Sequence, residues 1–311
     1  MDQKIKDFNV VGKTERVSDF RRNPLLMFAR KEKNLTVVTL GTGIPVPDII
    51  RAGPSNAIIY KKNCIIVDCG RWVTRQILMA KITFKQIKGV IFTHLHQDHI
   101  NAWPCLWMDS IFCGRTTPWQ IWGPIGTAKC IDAIKEFNDR DIQDRIAVEI
   151  PLGGIETKVT ELKDVYSWEL GGIKITGVPV IHGRSPDSFG FRFDTPEKSI
   201  MISGDTKKSE NLIKLGKKAP VDVLVHEICL GELIYFAIKA KIFKATEQTA
   251  KFITYYHTSI YEIIEIANEI QPKKLVLTHI MPSIASPDYI VKTIKESYDG
   301  KVVCANDLDS F

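Results

Sequence analysis

The chain has 311 residues, 44% hydrophobic and 25% charged, with a formal net charge of +6. This is the composition of an ordinary globular protein with a core of normal size, and the charge excess is too small over such a length to argue for nucleic acid by itself. The seven cysteines are scattered with no C-x-x-C pair, which excludes a disulfide framework, and no run of about 18 apolar residues exists to span a membrane. The N-terminus is charged from Lys4 onward and offers no apolar signal segment, so a cytoplasmic protein is expected.

Residues 1–34 are polar and basic, with Arg21-Arg22 and Arg30-Lys31 as pairs. They are expected to form an N-terminal extension ahead of a single domain over 35–311. The extension could be a solvated arm, an added strand and helix, or a docking segment. From Leu35 the texture changes. LTVVTL, NAIIY, CIIVDC and GVIFT are short β-branched runs bounded by turn residues, and they predict strands. NAIIY and CIIVDC are joined by Lys61-Lys62-Asn63 and predict a hairpin. Helices are predicted over 71–80 and 125–137. Then come KITGV, FGFRF and SIMIS as strands, a helix over 208–215, VDVLVH as a strand, and a helix over 247–256. After Ser259, Ile260, Ile263, Ile264, Ala267 and Ile270 follow the spacing of a half-buried helix. KLVLTH, a helix over 287–297 and KVVCA complete the series. Strands come in two batches with helices in both halves. The expected architecture is α/β, two sheets face to face with helices outside, a four-layer αββα sandwich.

The stretch THLHQDHI follows the strand GVIFT. In extended backbone, residues two apart share a face, so His94, His96 and Asp98 are expected to leave the strand end together, with His99 following as the chain turns. Imidazole and carboxylate are the ligands that zinc and similar ions prefer. A chance surface cluster is the bland alternative, and the spacing after a hydrophobic strand argues against it. One strand end cannot fill the shells of two metals. Further ligands are expected from His182, Asp205 and His279, each of which follows an apolar strand.

Together THLHQDH, His182, Gly204-Asp205-Thr206 and His279 resemble the metallo-β-lactamase superfamily, over nearly the whole chain from Leu40. His96 stands where the di-iron oxygen-reducing branch has a glutamate, and Asp205 where true β-lactamases have a cysteine. Zinc hydrolase chemistry other than antibiotic hydrolysis is implied. LGTG at 40–43 with VDCG at 67–70, Val225-His226-Glu227 and His257-Thr258-Ser259 are similar to the ribonuclease Z branch, although Ile228 and Cys229 replace the Ala and Thr of its HEAT box. The resemblance implies that His94, His96 and His182 hold one ion, that Asp98, His99 and His279 hold the other, and that Asp205 bridges them. It implies two divalent ions, Zn2+ with Mn2+ as the alternative, about 3.5–4 Å apart and sharing one water whose pKa falls toward roughly 7. Asp98 would orient the resulting hydroxide. His257 would protonate the leaving oxygen and Glu227 would orient His257. A capping role for His257 and a purely supporting role for His226 are the alternatives. A homodimer is also implied.

This chain departs from that branch in two places. The branch carries its tRNA-clamping arm between the third ligand histidine and the bridging aspartate, where this chain has only FGFRF, Pro196-Glu197 and SIMIS. The Pro-x-Lys-x-Arg-Asn loop of the branch reads GTGIPVPDIIRAGPSN here. It keeps Arg51 and Asn56 as candidate substrate-binding residues and lacks the lysine. CLGELIYFAIKAKIFKATEQ could serve as a lid or dimer helix with Lys239, Lys241 and Lys244 toward phosphate, or as an ordinary amphipathic helix. Trp103, Trp107, Trp119 and Trp122 could stack bases or fill the core. The expected function is a di-metal phosphodiesterase hydrolysing a small or cyclic nucleotide-type diester, which armless members of the branch make permissible. The alternatives are tRNA 3′ processing with RNA as substrate, lactone or thioester hydrolysis, and a metal-containing binding protein without turnover.

Overall fold

Strands that are for the most part buried on both faces build two mixed sheets in the computed structural model, which describes residues 29–147, 152–183 and 185–311. The basic segment expected over 1–34 lies largely outside those residues, and the first strand already begins at Glu32. The first sheet runs in order β1 (Glu32–Gly41), β2 (Ser55–Lys61), β3 (Asn63–Val67), β4 (Ile87–Ile91), β5 (Trp119–Pro124) and β6 (Thr157–Leu162). The second comprises β7 (Tyr166–Leu170), β8 (Ile173–His182), β9 (Ser185–Asp194), β10 (Ser199–Ile202), β11 (Val223–Cys229), β12 (Lys274–Met281) and β13 (Lys301–Cys304), and its spatial order reverses the chain order.

Period-two side-chain alternation divides the apolar residues among three cores. In β11, Val223 and Val225 face the other sheet, in a core that holds Ile58 and Ile91 of that sheet and Phe189 and Phe191 of their own. Leu224 and Ile228 face the opposite way, onto helices 210–217, 260–270 and 287–295. A third cluster joins the far face of the first sheet to helices 73–79 and 103–112. Three cores separate four layers, which is the αββα sandwich expected from the pattern.

Local signals place the helices. Ser259 Oγ accepts from Glu262 N at 3.3 Å, and Glu262 Oε2 accepts from Ser259 N at 2.8 Å, a capping box that starts helix Ile260–Ile270. Its buried face holds Ile260, Ile263, Ile266, Ala267 and Ile270; Ile264, expected on that face, is only partly covered. Burying one such isoleucine contributes about 1.5–3 kcal/mol. Thr246 caps helix Glu247–Tyr256 by accepting from Thr249 N at 3.1 Å.

Helix Trp103–Phe112 was not foreseen, and it resolves the choice for the tryptophans. Trp103, Trp107 and Trp119 are at most 1% exposed, so they fill the core and have no free face for a base. Trp103 and Trp119 meet edge to face at 5.0 Å, and the Arg115 guanidinium lies 3.8 Å over the Trp119 ring. The segment after Glu227 forms two helices, Gly231–Lys239 and Glu247–Tyr256, which pack on Ile44, Cys229 and Met281.

The C-terminal residues tie both sheets to the loop that follows β1. Val37 and Phe311 exchange backbone hydrogen bonds at 3.1 and 2.9 Å. The Asp307 carboxylate accepts from Thr42 N, Thr42 Oγ1, Ala52 N and Gln76 Nε2 at 2.7–3.0 Å. Asp307→Ala is expected to lower unfolding stability by about 3 kcal/mol, since several buried donors lose a charged acceptor together. Urea denaturation checks this, and a change under about 0.5 kcal/mol, the scale of an ordinary surface substitution, would rule the anchor out.

Candidate metal centre

Within each sheet the strands that carry the polar residues run the same way, so their C-terminal ends lie along one edge. Asp68 follows β3, His94 follows β4, His182 ends β8, Asp205 follows β10, and Glu227 and His279 lie near the ends of β11 and β12. Extended backbone carries only His94 and His96. From Gln97 to Ile100 the chain makes one helical turn, and this turn aims Asp98 and His99, contrary to the expectation that Asp98 continues an extended run. Two glycines permit the close approach. A Cβ at Gly70 would lie 2.7 Å from the Asp98 carbonyl oxygen, and one at Gly204, where φ is +61°, would lie 2.9 Å from Thr93 Cβ.

His279 reaches the site through a bulge. Glu227 pairs with Thr278 and Ile228 with Ile280, so His279 is an extra residue on β12, with φ of 47°. A bulge bends the strand and re-aims the inserted side chain.

The expected ligands come together as two triads. Donor atoms of His94, His96 and His182 lie within 4.8 Å of one another, and so do those of Asp98, His99 and His279. Asp205 Oδ2 stands between them, 3.8 Å from His94 Nε2, 4.0 Å from His182 Nε2, 3.4 Å from His99 Nε2 and 3.5 Å from His279 Nε2. Asp98 Oδ2 is 3.5 Å from both His99 Nε2 and His279 Nε2. These separations are too long for good hydrogen bonds. They match the edge of about 3.3 Å expected between ligands held at 2.0–2.1 Å around a tetrahedral ion. His94 Nε2 and His99 Nε2 are buried and have no hydrogen-bond partner among the described residues. A metal fits this donor set.

The other ring nitrogens are tied down. His99 Nδ1 donates to Asp68 Oδ2 at 2.9 Å, and His182 Nδ1 donates to the Tyr256 carbonyl at 2.9 Å. His94 Nδ1 lies 3.0 Å from Thr93 Oγ1, which donates to Asp68 Oδ2 at 2.8 Å. Asp68 also accepts from Thr93 N at 2.8 Å. One carboxylate therefore orients two histidines and leaves their Nε2 edges free for an ion. The sequence reading passed over Asp68 as a site residue. Its signal was an acidic residue in VDCG directly after an apolar strand.

Charge follows the same division. Burial pushes His94 well below the ordinary imidazole value and takes His182 down to about 4, so both present neutral lone pairs. Burial opposes charge on His99 too, but the carboxylates of Asp205, Asp68 and Asp98 outweigh it and hold the ring well above the ordinary value. Burial would raise Asp205, yet the neighbouring His279, His99 and His94 hold it well below the usual carboxylate range.

Glu227 Oε1 accepts from His257 Nδ1 at 2.8 Å and from Thr206 N at 2.9 Å. Burial pushes His257 down and Glu227 well up, with Asp205 adding to the rise at Glu227. Burial works against an imidazolium at His257, while the carboxylates of Asp205 and Asp98 work for it. His226 sits outside the cluster: it is fully buried, its Nδ1 donates to the Glu227 carbonyl at 2.8 Å, and burial takes it down to about 4. Arg51 is engaged by structure, with Nη1 donating to Thr42 Oγ1 and the Ala305 carbonyl and Nη2 to Asn306 Oδ1. Asn56 is buried and lines the crevice behind His99, Asp205 and His279.

Residues 63–280 match the family described as Beta-lactamase superfamily domain. The chain belongs to the metallo-β-lactamase superfamily. It is 32% identical over 261 residues to a Ribonuclease Z from Mycobacterium sp. (strain KMS), covering 81% of this chain and 86% of that one. It is 30% identical over 281 residues to a Ribonuclease Z from Mycobacterium marinum, covering 88% and 97%. Within the superfamily it is a metal-dependent hydrolase of the ribonuclease Z-like branch. The fold is shared with human tRNase Z, short form (TM-score 0.63, 21% identity, 89% of this chain and 98% of that one). It is shared also with YhfI from Bacillus subtilis (TM-score 0.65, 20% identity, 89% and 98%). The family implies a di-metal site. No helix among the described residues is long and apolar enough to cross a membrane.

Elemental analysis of protein purified without chelator is expected to find about two divalent ions per chain. A value near zero would remove the centre. Stripping the ions should lower stability by about 2.7 kcal/mol for each ion relative to protein in free metal at one hundred times Kd, visible in the melting midpoint. Asp68→Ala should weaken metal retention by about 10–100-fold in a chelator competition, although Asp68 touches no ion.

Proposed function

We propose that residues 35–311 form a phosphodiesterase of the cytoplasm, that the first 34 residues are its extension, and that its substrate is a small or cyclic nucleotide-type diester. The observation that carries this reading is Asp205 Oδ2 within 4.0 Å of imidazoles from both triads, beside a 2.8 Å His257–Glu227 pair. In this proposal His94, His96 and His182 hold one ion, Asp98, His99 and His279 the second, and Asp205 both. Zn2+ suits this imidazole-rich set, with Mn2+ the alternative. When bound, such ions supply a nucleophile from water at neutral pH and neutralise charge growing on the phosphoryl oxygens.

The remaining work belongs to side chains. Asp98 orients the attacking water. His257 has its Nδ1 fixed by Glu227, so Nε2 is the free nitrogen that delivers a proton to the leaving oxygen. A diester needs that proton, because an alkoxide is a poor leaving group. A lactone or thioester would leave the His257–Glu227 pair without work. Support for a small substrate comes from the span between His182 and Asp205. β9 and β10 fill it, and the tRNA-clamping arm of the branch has no counterpart among its described residues. The family resemblance, together with exposed Phe236, Phe252 and Tyr255 on the helix pair after Glu227, supports a homodimer.

A second reading, endonucleolytic processing of tRNA 3′ ends, is favoured by the name Ribonuclease Z on relatives covered over 86% and 97% of their length. A panel of precursor tRNA, cyclic mononucleotides, bis(p-nitrophenyl) phosphate and a lactone separates the readings. Turnover of cyclic mononucleotides is expected, and cleavage of precursor tRNA alone would decide for the second reading. His257→Ala should slow diesters with alkyl leaving groups by about 10²–10⁴-fold and p-nitrophenyl esters far less. Equal losses on both would remove the proton-donor role.

A further inference from the structure

Behind the two triads the sandwich interior ends in a crevice of about 320 Å3, its opening included, with Asn56, Glu227 and His279 on its wall. Each of these residues brings one buried side-chain atom that has no partner among the described residues: Asn56 Oδ1, Glu227 Oε2 and His279 Nδ1. They arrive from separate strands, β2, β11 and the bulge of β12. A buried polar atom left alone costs about 1–3 kcal/mol, so three around one space call for a shared polar partner.

The chemistry of the three atoms identifies that partner. His279 turns Nε2 toward Asp98 and Asp205, so its proton belongs on Nδ1, which is a donor toward the crevice. Glu227 Oε2 and Asn56 Oδ1 are acceptors. One water matches the set, accepting from His279 Nδ1–H and donating its two protons to Glu227 and Asn56. Glu227 and His279 are close neighbours, with one ligating atom of each within 4.8 Å of the other, and both line the crevice beside Asn56. The crevice has room for it.

We propose that a buried water occupies this crevice and that Asn56 is the positioning residue that holds it. Asn56 then acts from behind the site: through one water it fixes the ring of His279 and the free oxygen of Glu227. This inference rests on His279 being a metal ligand, as proposed above. It links the metal centre to the His257–Glu227 pair through a group that touches neither ion nor substrate.

A high-resolution crystal structure of the zinc-loaded protein should show an ordered water within about 3.2 Å of all three atoms. A dry crevice, or an Asn56 amide turned to another protein group, would overturn the proposal. Zinc affinity, measured by competition with a chelator, supplies the functional arm. Asn56→Leu is similar in bulk and cannot hold water; it should lose about 10–100-fold in affinity. Asn56→Ser keeps a hydroxyl and admits a second water, and it should recover affinity to within about threefold of wild type. Lower melting midpoints in both variants with unchanged zinc affinity would mean plain packing and would also overturn the proposal. Should Asn56→Leu fail to fold, the serine variant and the water in the wild-type crystal decide. Wild-type protein that takes up no zinc would overturn the metal reading instead, and the ordered water would then test this proposal alone.

Discussion

A carboxylate almost wholly removed from water, Asp205, is the constraint around which the rest of the structure is arranged. An isolated buried charge costs several kcal/mol even after relaxation, so the fold must surround it with compensating groups. Four imidazoles stand within 4.0 Å of one of its oxygens. The carboxylates around His99 favour its charged form, which answers part of that charge. Divalent ions would answer it more fully, because Asp98 and Asp68 add further negative charge at the same place. Local conformations that chains ordinarily avoid occur at the site. Asp68 and His279 adopt left-handed backbone, as does Gly204 just before Asp205. A non-glycine residue in that region costs roughly 1–2 kcal/mol, and the surrounding layers supply the stability that holds it.

Much of this was legible in the residues. Short β-branched runs bounded by turn residues gave the strands, and the strand ends gave the ligand positions, because polar residues that directly follow a buried strand must emerge at its tip. The cap at Ser259 and the stripe from Ile260 to Ile270 specified a helix with nothing else consulted. Other features could not be read that way. The bulge at His279 depends on register against β11, a non-local pairing with no local signal. The role of Asp68 depends on His99, 31 positions away in the chain, and that of Asp307 on Thr42, 265 positions away. The turn at Gln97 was hidden by histidines whose spacing also suits a strand. Desolvation at His257 is a property of everything packed around it, so its strength had no local signal.

Arg51 and Asn56 illustrate a related point. Both were singled out as residues that would meet substrate, since they survive from a loop that does so in relatives. Arg51 instead binds the C-terminal segment to the loop after β1, and Asn56 faces inward. The helix pair after Glu227 does more for the site than the altered loop, since Tyr256 supplies the carbonyl that orients His182 and the same helix delivers His257.

The proposed ligands are drawn from both sheets, with His94, His96, Asp98 and His99 from the first and His182, Asp205 and His279 from the second. An ion held between them would rivet the two halves of the sandwich at one edge. It also fixes an order of events during synthesis. The ligands proposed for one ion have all been made once Asp205 has, whereas the other ion lacks His279 until β12 has emerged. Capture of that second ion would therefore come last, as a step that locks a largely folded molecule.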